Sequence, residues 1–460
     1  MRKRGIALLG LVVALMLGLM PFCSLAATGW AQENGYWVYY DSNGSRLYNV
    51  WRQGSDGYWR YLNSSGVMAT DSWVEDDNYY VDSNGIMITS QWLKVQNDSK
   101  DSGYDWYYFG ETGKNVKGKW QQIDGNYYHF DDAGAMETGW ILDDMYYCDE
   151  YGVMLTGWQR LEPPEGYDYD FSSTQGPYEV SDDDGKCWFY FSTTGKKTIP
   201  SEDSIGTKKI NGSYYALDEY GAVQYGWVCT DGDESEDIAD YRYVGSDGKV
   251  VTGWYSMSPP DNLSGNYDYD VEWFYFNSKG VPKTGPTKGS ATTSDLEKIS
   301  GNTYLFNEYG TPVYGLQQVY STSGETYYSY YFGTRKQSSM LKGKQKVDDG
   351  DGSKETYYFN SSGKGYTGVY DDYLYYKGKL QKADSNSKYQ VITIYSDSGN
   401  TFKNYVVNTS GKVMKSKTVK DGNSVKYKTS STGILTEVDD EAVDSTDTFD
   451  TPEEPNYDWQ

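Results

Sequence analysis

Thr138-Gly139-Trp140-Ile141-Leu142-Asp143-Asp144-Met145-Tyr146-Tyr147-Cys148-Asp149-Glu150-Tyr151-Gly152-Val153-Met154-Leu155-Thr156-Gly157-Trp158 contains every part of a pattern that recurs along the chain. A Gly-Trp opens it; an aromatic pair, an Asp or Asn, a short turn, a Gly and a Met follow, and Gly-Trp begins again. Adjacent strand residues point to opposite faces, so each Tyr-Tyr pair sends one ring inward and one outward. The Asp/Asn-rich turn with Gly then reverses the chain, because these residues accept positive φ. The unit is therefore a short β-hairpin. One hairpin is marginal in water, so successive hairpins must stack and share an aromatic core.

Working outward, copies stand at Tyr39-Tyr40-Asp41, Tyr79-Tyr80-Val81-Asp82 and Tyr127-Tyr128-His129-Phe130-Asp131. Trp30, Trp51, Trp73, Trp92, Trp120, Trp140 and Trp158 punctuate them at intervals of 21, 22, 19, 28, 20 and 18 residues. A period near 20 signals an array, and roughly sixteen units fill nearly the whole chain. Helical stripes are absent while Tyr numbers 50 and Gly 51, so the expected fold is all-β, an elongated β-hairpin solenoid of tandem aromatic/Gly repeats.

Four segments follow. Arg2-Lys3-Arg4, the apolar run Ile6 to Met20 and Ser24-Leu25-Ala26-Ala27 read as a secretory signal peptide over 1–26, cut after Ala26 or Ala27. Regular Trp-rich repeats occupy 27–158, and degenerate repeats with inserted loops occupy 159–436. The loops include Pro163-Pro164 with Tyr167 to Asp170 and, 96 residues on, Pro259-Pro260 with Tyr267 to Asp270, as though a cassette were duplicated. The acidic, aliphatic-poor stretch 437–460 reads as a disordered tail.

Charge excludes one class of partner. Removing the signal takes three of the 41 basic residues and no acid, leaving 38 against 66, a net of about −28. Nucleic-acid binding rests on Lys and Arg neutralising phosphates, so that partner is excluded, and anionic membranes are disfavoured too. No apolar span follows the signal. Cys148, Cys187 and Cys229 then remain, an odd number without a CxxC pair, which supports neither zinc nor redox chemistry. Cys148 takes the place of Val81 and His129 in sister repeats and reads as a small strand side chain.

Nothing in the chain resembles a catalytic centre. His129 is the single histidine. The pairs Asp76-Asp77 and Asp143-Asp144 and the run Asp182-Asp183-Asp184 lie in turn contexts, and no compact domain is left to hold an acid pair. Asp348-Asp349-Gly350-Asp351-Gly352 lacks the spacing and closing Glu of a calcium loop. The expectation is a protein with no enzymatic activity, no cofactor and no metal.

Taken together, Thr138-Gly139-Trp140, Tyr146-Tyr147, Gly152, Met154 and Thr156-Gly157-Trp158 resemble the cell-wall-binding repeats of Gram-positive surface proteins, of the choline-binding and glucan-binding type. The resemblance spans about 90 per cent of the mature chain. It implies a hairpin solenoid, a secreted protein associated with the wall or cell surface, and noncovalent attachment to choline on teichoic acids or to α-glucan. In the choline branch the ligand sits in aromatic cages between hairpins. Position by position this implies Trp30 with Trp37, Trp51 with Trp59, Trp73 with Tyr80, Trp92 with Trp106, Trp120 with Tyr128, and Trp140 with Tyr147, with Trp158 opening a further unit. Met68, Met87, Met136 and Met154 would floor neighbouring cavities. Asn78 and Asn126 precede two of the Tyr-Tyr pairs and Met145 a third; a polar wall beside a flat ring suits a sugar edge. Three readings stay open: a choline-type binder, a neutral-glycan binder, and a structural or adhesive rod whose rings serve only the core.

Overall fold

The computed structural model describes residues 28–100, 103–167, 185–200, 205–232, 234–348, 353–396 and 401–458. The signal segment, Asp182-Asp183-Asp184 and Asp349 to Gly352 lie outside the described residues. Those described are β throughout, apart from two short 3₁₀ turns at Ile238–Asp240 and Asp261–Asn266. No helix among them is long and apolar enough to cross a membrane. The chain divides into two compact units: one runs to Gln159 and includes Phe191–Lys197, and the other comprises Arg160–Tyr190 and Thr198 onward.

Six antiparallel hairpins build the first unit: β1 (Gly29–Glu33) with β2 (Tyr36–Tyr40), β3 (Val50–Gln53) with β4 (Trp59–Leu62), β5 (Ser72–Val74) with β6 (Tyr79–Val81), β7 (Gln91–Gln96) with β8 (Tyr104–Phe109), β9 (Lys119–Ile123) with β10 (Asn126–Phe130), and β11 (Gly139–Ile141) with β12 (Tyr146–Cys148). Each is its own two-stranded sheet. The turns obey local chemistry. Asn34 and Gly35 (φ 51° and 85°) and Asp124 and Gly125 (φ 49° and 88°) supply the paired positive φ of a two-residue hairpin turn. Glu75-Asp76-Asp77 and Leu142-Asp143-Asp144 hold three consecutive left-handed residues each, so these acid pairs sit in tight, exposed turns.

Where an Asp or Asn opens the second turn of a repeat, its side chain closes that turn. Asp82 Oδ1 accepts from the backbone N–H of Asn84 and of Ile86, both at 2.8 Å, and Asp149 Oδ1 does the same for Tyr151 and Val153. One side-chain oxygen thus satisfies two amides that would otherwise need water. The residue six places after each hairpin's last strand position returns to bridge it, as Leu62 with Met68, Val81 with Met87, Phe130 with Met136 and Cys148 with Met154.

That returning residue also fastens one hairpin to the one before. Met68 N–H donates to Trp37 O (2.8 Å), Met87 to Trp59 O (2.9 Å), Met136 to Trp106 O (2.8 Å) and Met154 to Tyr127 O (2.9 Å). Inside the stack the last strand residues Leu62, Val81, Phe109, Phe130 and Cys148 are fully buried. Stacking therefore supplies the burial that a lone hairpin lacks.

Register corrects one placement. Cys148 and Phe130, not His129, share the place of Val81, because each immediately precedes the turn and bridges to the sixth residue after it. His129 pairs across the strands with Trp120 just as Tyr147 pairs with Trp140, and its Nδ1 contacts the Glu137 carboxylate. The turn-opening Asp sets register rather than the aromatic pair, and β10 carries one residue more between the two. A one-residue slip exchanges the faces of every side chain.

In the second unit hairpins continue through Leu316–Tyr320 with Tyr327–Tyr331. They then give way to a five-stranded sheet over Gly343–Leu380, a long hairpin of Tyr389–Tyr395 with Phe402–Asn408, and a four-stranded sheet over Thr418–Ala442. The C-terminal segment overturns the expectation of a disordered tail. Leu435–Val438 and Glu441–Ala442 are strands, and residues 447–458 run back across this unit. Asp450 bridges Ile392 in parallel, Glu453 and Gln381 exchange hydrogen bonds, and Asp458 exchanges them with Leu316. Tyr457 packs against the buried cluster of Leu316, Tyr331, Val347, Tyr357 and Phe359.

All three described cysteines are buried. Burial, aided by Asp149, pushes the Cys148 thiol up to about 12, so the thiolate that reacts is scarce at neutral pH. Native protein should therefore leave Cys148, Cys187 and Cys229 unlabelled by a thiol reagent at pH 8 over an hour, with all three reacting in guanidinium. Prompt labelling of Cys148 in the native state would contradict the buried position.

Candidate ligand-binding site

Each gap between consecutive hairpins of the first unit receives side chains by a rule readable from register. The lower hairpin contributes its first-strand indole and the residue four before its turn-opening residue; the upper hairpin contributes the residue three before its own turn and the floor residue that fastens back. Side chains two apart on a strand share a face, which places the indole, its cross-strand partner and the fourth-before residue together.

The gap above β7–β8 is the most complete. Trp92 and Trp106 stand at 90° with centroids 6.4 Å apart. Tyr128 from β10 closes a third side at 5.0 Å from Trp92, and Met136 is fastened to Trp106 O while packing in the same cluster. Above β3–β4, Tyr79 lies 5.4 Å from Trp51, Met87 is fastened to Trp59 O, and Trp59 keeps 43% of its surface exposed at the rim. Above β9–β10, Tyr146 lies 5.2 Å from Trp120, Met154 is fastened to Tyr127 O, and Tyr127 is exposed.

Other gaps are less aromatic. Above β1–β2, Trp30 rests on Tyr39 at 5.3 Å with Trp37 on the same face and Met68 as floor, but Arg60, paired with Asp56 at 2.6 Å, takes the third position. Above β5–β6, Trp73 meets Tyr80 at 5.4 Å and Tyr107 at 4.8 Å, while Asn78 and Asn115 replace the rim indole and the Met floor. Asn115 is buried, and its Oδ1 has no hydrogen-bond partner among the described residues. Burial, then the carboxylates of Asp105, Asp131 and Asp77, raise the Tyr107 hydroxyl, marking negative potential in this gap. Trp140 meets Tyr147 at 5.2 Å, and Trp158 is half-buried in the strand Gly157–Leu161.

The indoles named from sequence line these gaps, together with rings that the pairing does not name. Tyr79, Tyr107, Tyr127 and Tyr146 were not singled out, although counting back three or four from the turn-opening residue finds them. Trp120 faces His129 at 5.0 Å and Tyr146, not Tyr128, which belongs to the Trp92 gap. Asn126, expected as a rim residue, starts β10, and Tyr127 holds that place. Tyr80 and Tyr147 are cross-strand supports beneath their indoles. Among the described residues no group of three or more His, Cys, Asp or Glu is placed to hold a metal ion.

The fold and its inter-hairpin gaps define a repeat protein of β-hairpin solenoid class. Residues 27–73 match the model of the choline-binding repeat, and residues 118–136 match that of a putative cell wall binding repeat. Two stretches of the first unit thus match repeats of the choline-binding and cell-wall-binding type. No curated protein sequence matches it. Similar solved structures include CbpJ from Streptococcus pneumoniae TIGR4, with 21% identity, a TM-score of 0.37 and coverage of 73% of this chain and 99% of that one. Choline binding protein F from Streptococcus pneumoniae, in the presence of a peptidoglycan analogue, gives 21%, 0.37, 65% and 98%. The modular autolysin LytC from Streptococcus pneumoniae gives 18%, 0.35, 62% and 52%, so the chain spans about half of LytC.

Proposed function

We propose that this chain is a secreted, non-catalytic protein that grips choline-bearing cell-wall polymer at the Met-floored gaps of its first unit. The observation that carries this is the right-angled Trp92–Trp106 corner closed by Tyr128 and Met136. A quaternary ammonium cannot donate a hydrogen bond, so it is recognised by ring faces. Each ring contributes about 0.5–2 kcal/mol, which gives three rings roughly millimolar affinity. The net negative charge of the chain, −25 overall, favours a cationic ligand further. Tandem weak sites then raise the effective concentration for one another, which suits a polymer.

Titrating intrinsic tryptophan fluorescence with choline chloride, against sodium chloride at equal ionic strength, tests it. A saturable change at millimolar choline is expected; superimposable curves would overturn the reading. A neutral glycan is the second reading, favoured by the polar Trp73 gap, where the orphan Asn115 Oδ1 offers an acceptor. Dextran retention that choline does not displace would select it.

A further inference from the structure

Besides Asn115, a second floor position departs from methionine, and this one introduces a charge. Gly66-Val67-Met68, Gly85-Ile86-Met87, Gly134-Ala135-Met136 and Gly152-Val153-Met154 recur as Gly195-Lys196-Lys197. Lys197 keeps the register: it bridges Phe191 as Met154 bridges Cys148, and its N–H donates to Met145 O at 2.8 Å, as the methionines donate to the rim residue below. Gly195 likewise approaches Met154 as Gly152 approaches Met136, continuing the ladder of Gly on Met. What differs is the side-chain tip. The Lys197 ammonium stands 4.6 Å from the centroid of the Trp140 ring, and the residue is only 6% exposed.

We propose that Lys197 is a built-in occupant of the Trp140 gap, supplying from within the chain the cation that the Met-floored gaps take from a ligand. A buried ammonium requires compensation, and an indole face is the strongest aromatic partner for a cation. A second cation against the same ring would meet the first at a few ångströms in a poorly hydrated space, where like charges repel strongly. The plugged gap keeps the packing of the stack and gives up ligand. The array is thus graded by its floor residue: methionine leaves a gap open to a quaternary ammonium, and lysine closes it. This rests on the choline reading above, and it assigns Trp140 to structure rather than to binding.

The experiment is calorimetric titration of choline chloride into the wild-type chain and the Lys197→Met, Lys197→Gln and Lys197→Arg variants, each first checked for an unchanged β-sheet circular dichroism spectrum. Lys197→Met restores the residue found at sister positions, so one additional choline site is expected. Lys197→Gln, neutral and of similar length, should give the same gain should the Met variant misfold, and Lys197→Arg should add none. Equal site numbers in the wild type and the neutral variants would overturn the proposal. A wild-type number of zero overturns instead the reading of the Met-floored gaps, while the difference between wild type and variants still decides the plug.

Discussion

Ending the chain after Ser445 is expected to destabilise the second unit, although the deleted segment is acidic and poor in aliphatics. The loss has three parts. Tyr457 leaves a cluster whose Tyr357 and Phe359 are fully buried, and truncating a buried aromatic costs about 3–5 kcal/mol. The exchanged hydrogen bonds of Asp450 with Val391 and Thr393, Glu453 with Gln381, and Asp458 with Leu316 disappear, at roughly 0.5–1.5 kcal/mol each. Lys379, 3% exposed, also loses Glu453, which holds its ammonium at 2.7 Å. Ordering the segment costs conformational entropy, which offsets the hydrogen-bond part of the gain. The expected net loss is therefore set by the buried ring, at most about 3–5 kcal/mol. Domains of this kind hold only about 5–15 kcal/mol, so the truncated chain should show a large early transition in urea followed by circular dichroism. Tyr457→Ala should reproduce more than half of that loss. A truncated chain that unfolds at the same urea concentration as the full one would show that the segment adds no net stability.

That segment also shows where reading the sequence stops. The hairpins were legible because each is specified locally: Asn34-Gly35 and Asp124-Gly125 can hardly do anything but turn, and Asp82 or Asp149 caps its own loop. Stacking followed from the amphipathic aromatic pair. Residues 447–458 carry no such local signal. What orders them is a track of distant polar partners, Lys379, Gln381, Thr393 and Asn404, and composition alone cannot show that a charged strand has a complementary groove. The cages were legible in part for a related reason. The lower hairpin's indoles announce themselves by recurring near every twentieth residue, but the third ring comes from the next hairpin, and its identity depends on register to within one residue. In β9–β10 the extra residue before Asp131 displaced the count, so His129 and Tyr128 were assigned to each other's faces. Lys197 escaped for the opposite reason, because Lys196-Lys197 reads as solvated surface until the fastening to Met145 fixes which lysine points into the gap.

The tryptophans lining the gaps should then separate by floor residue when each is replaced. Trp106→Ala removes one wall of the most complete corner, leaving Trp92, Tyr128 and Met136. An indole facing a desolvated ammonium contributes about 1–2 kcal/mol, so the affinity of that gap should fall roughly five- to thirtyfold, enough to push a millimolar site out of the titratable range. Trp106→Phe keeps a weaker face and should retain part of the affinity. Lys94 modulates this site: its ammonium lies 3.2 Å from the Tyr104 centroid and 5.7 Å from that of Trp106. Being exposed, it repels a ligand cation only through screened charge, and its neutralisation should tighten binding by less than Trp106→Ala weakens it. Trp140→Ala should leave choline binding untouched, since its cation is Lys197. The discriminating measurement is therefore the pair, Trp106→Ala against Trp140→Ala, read by calorimetric site number and affinity. Loss in the first with none in the second is the pattern that ligand cages graded by their floors require. Equal losses would mean that the indoles act through the stack as a whole, and unchanged binding in both would remove the Trp92–Trp106 corner from the function.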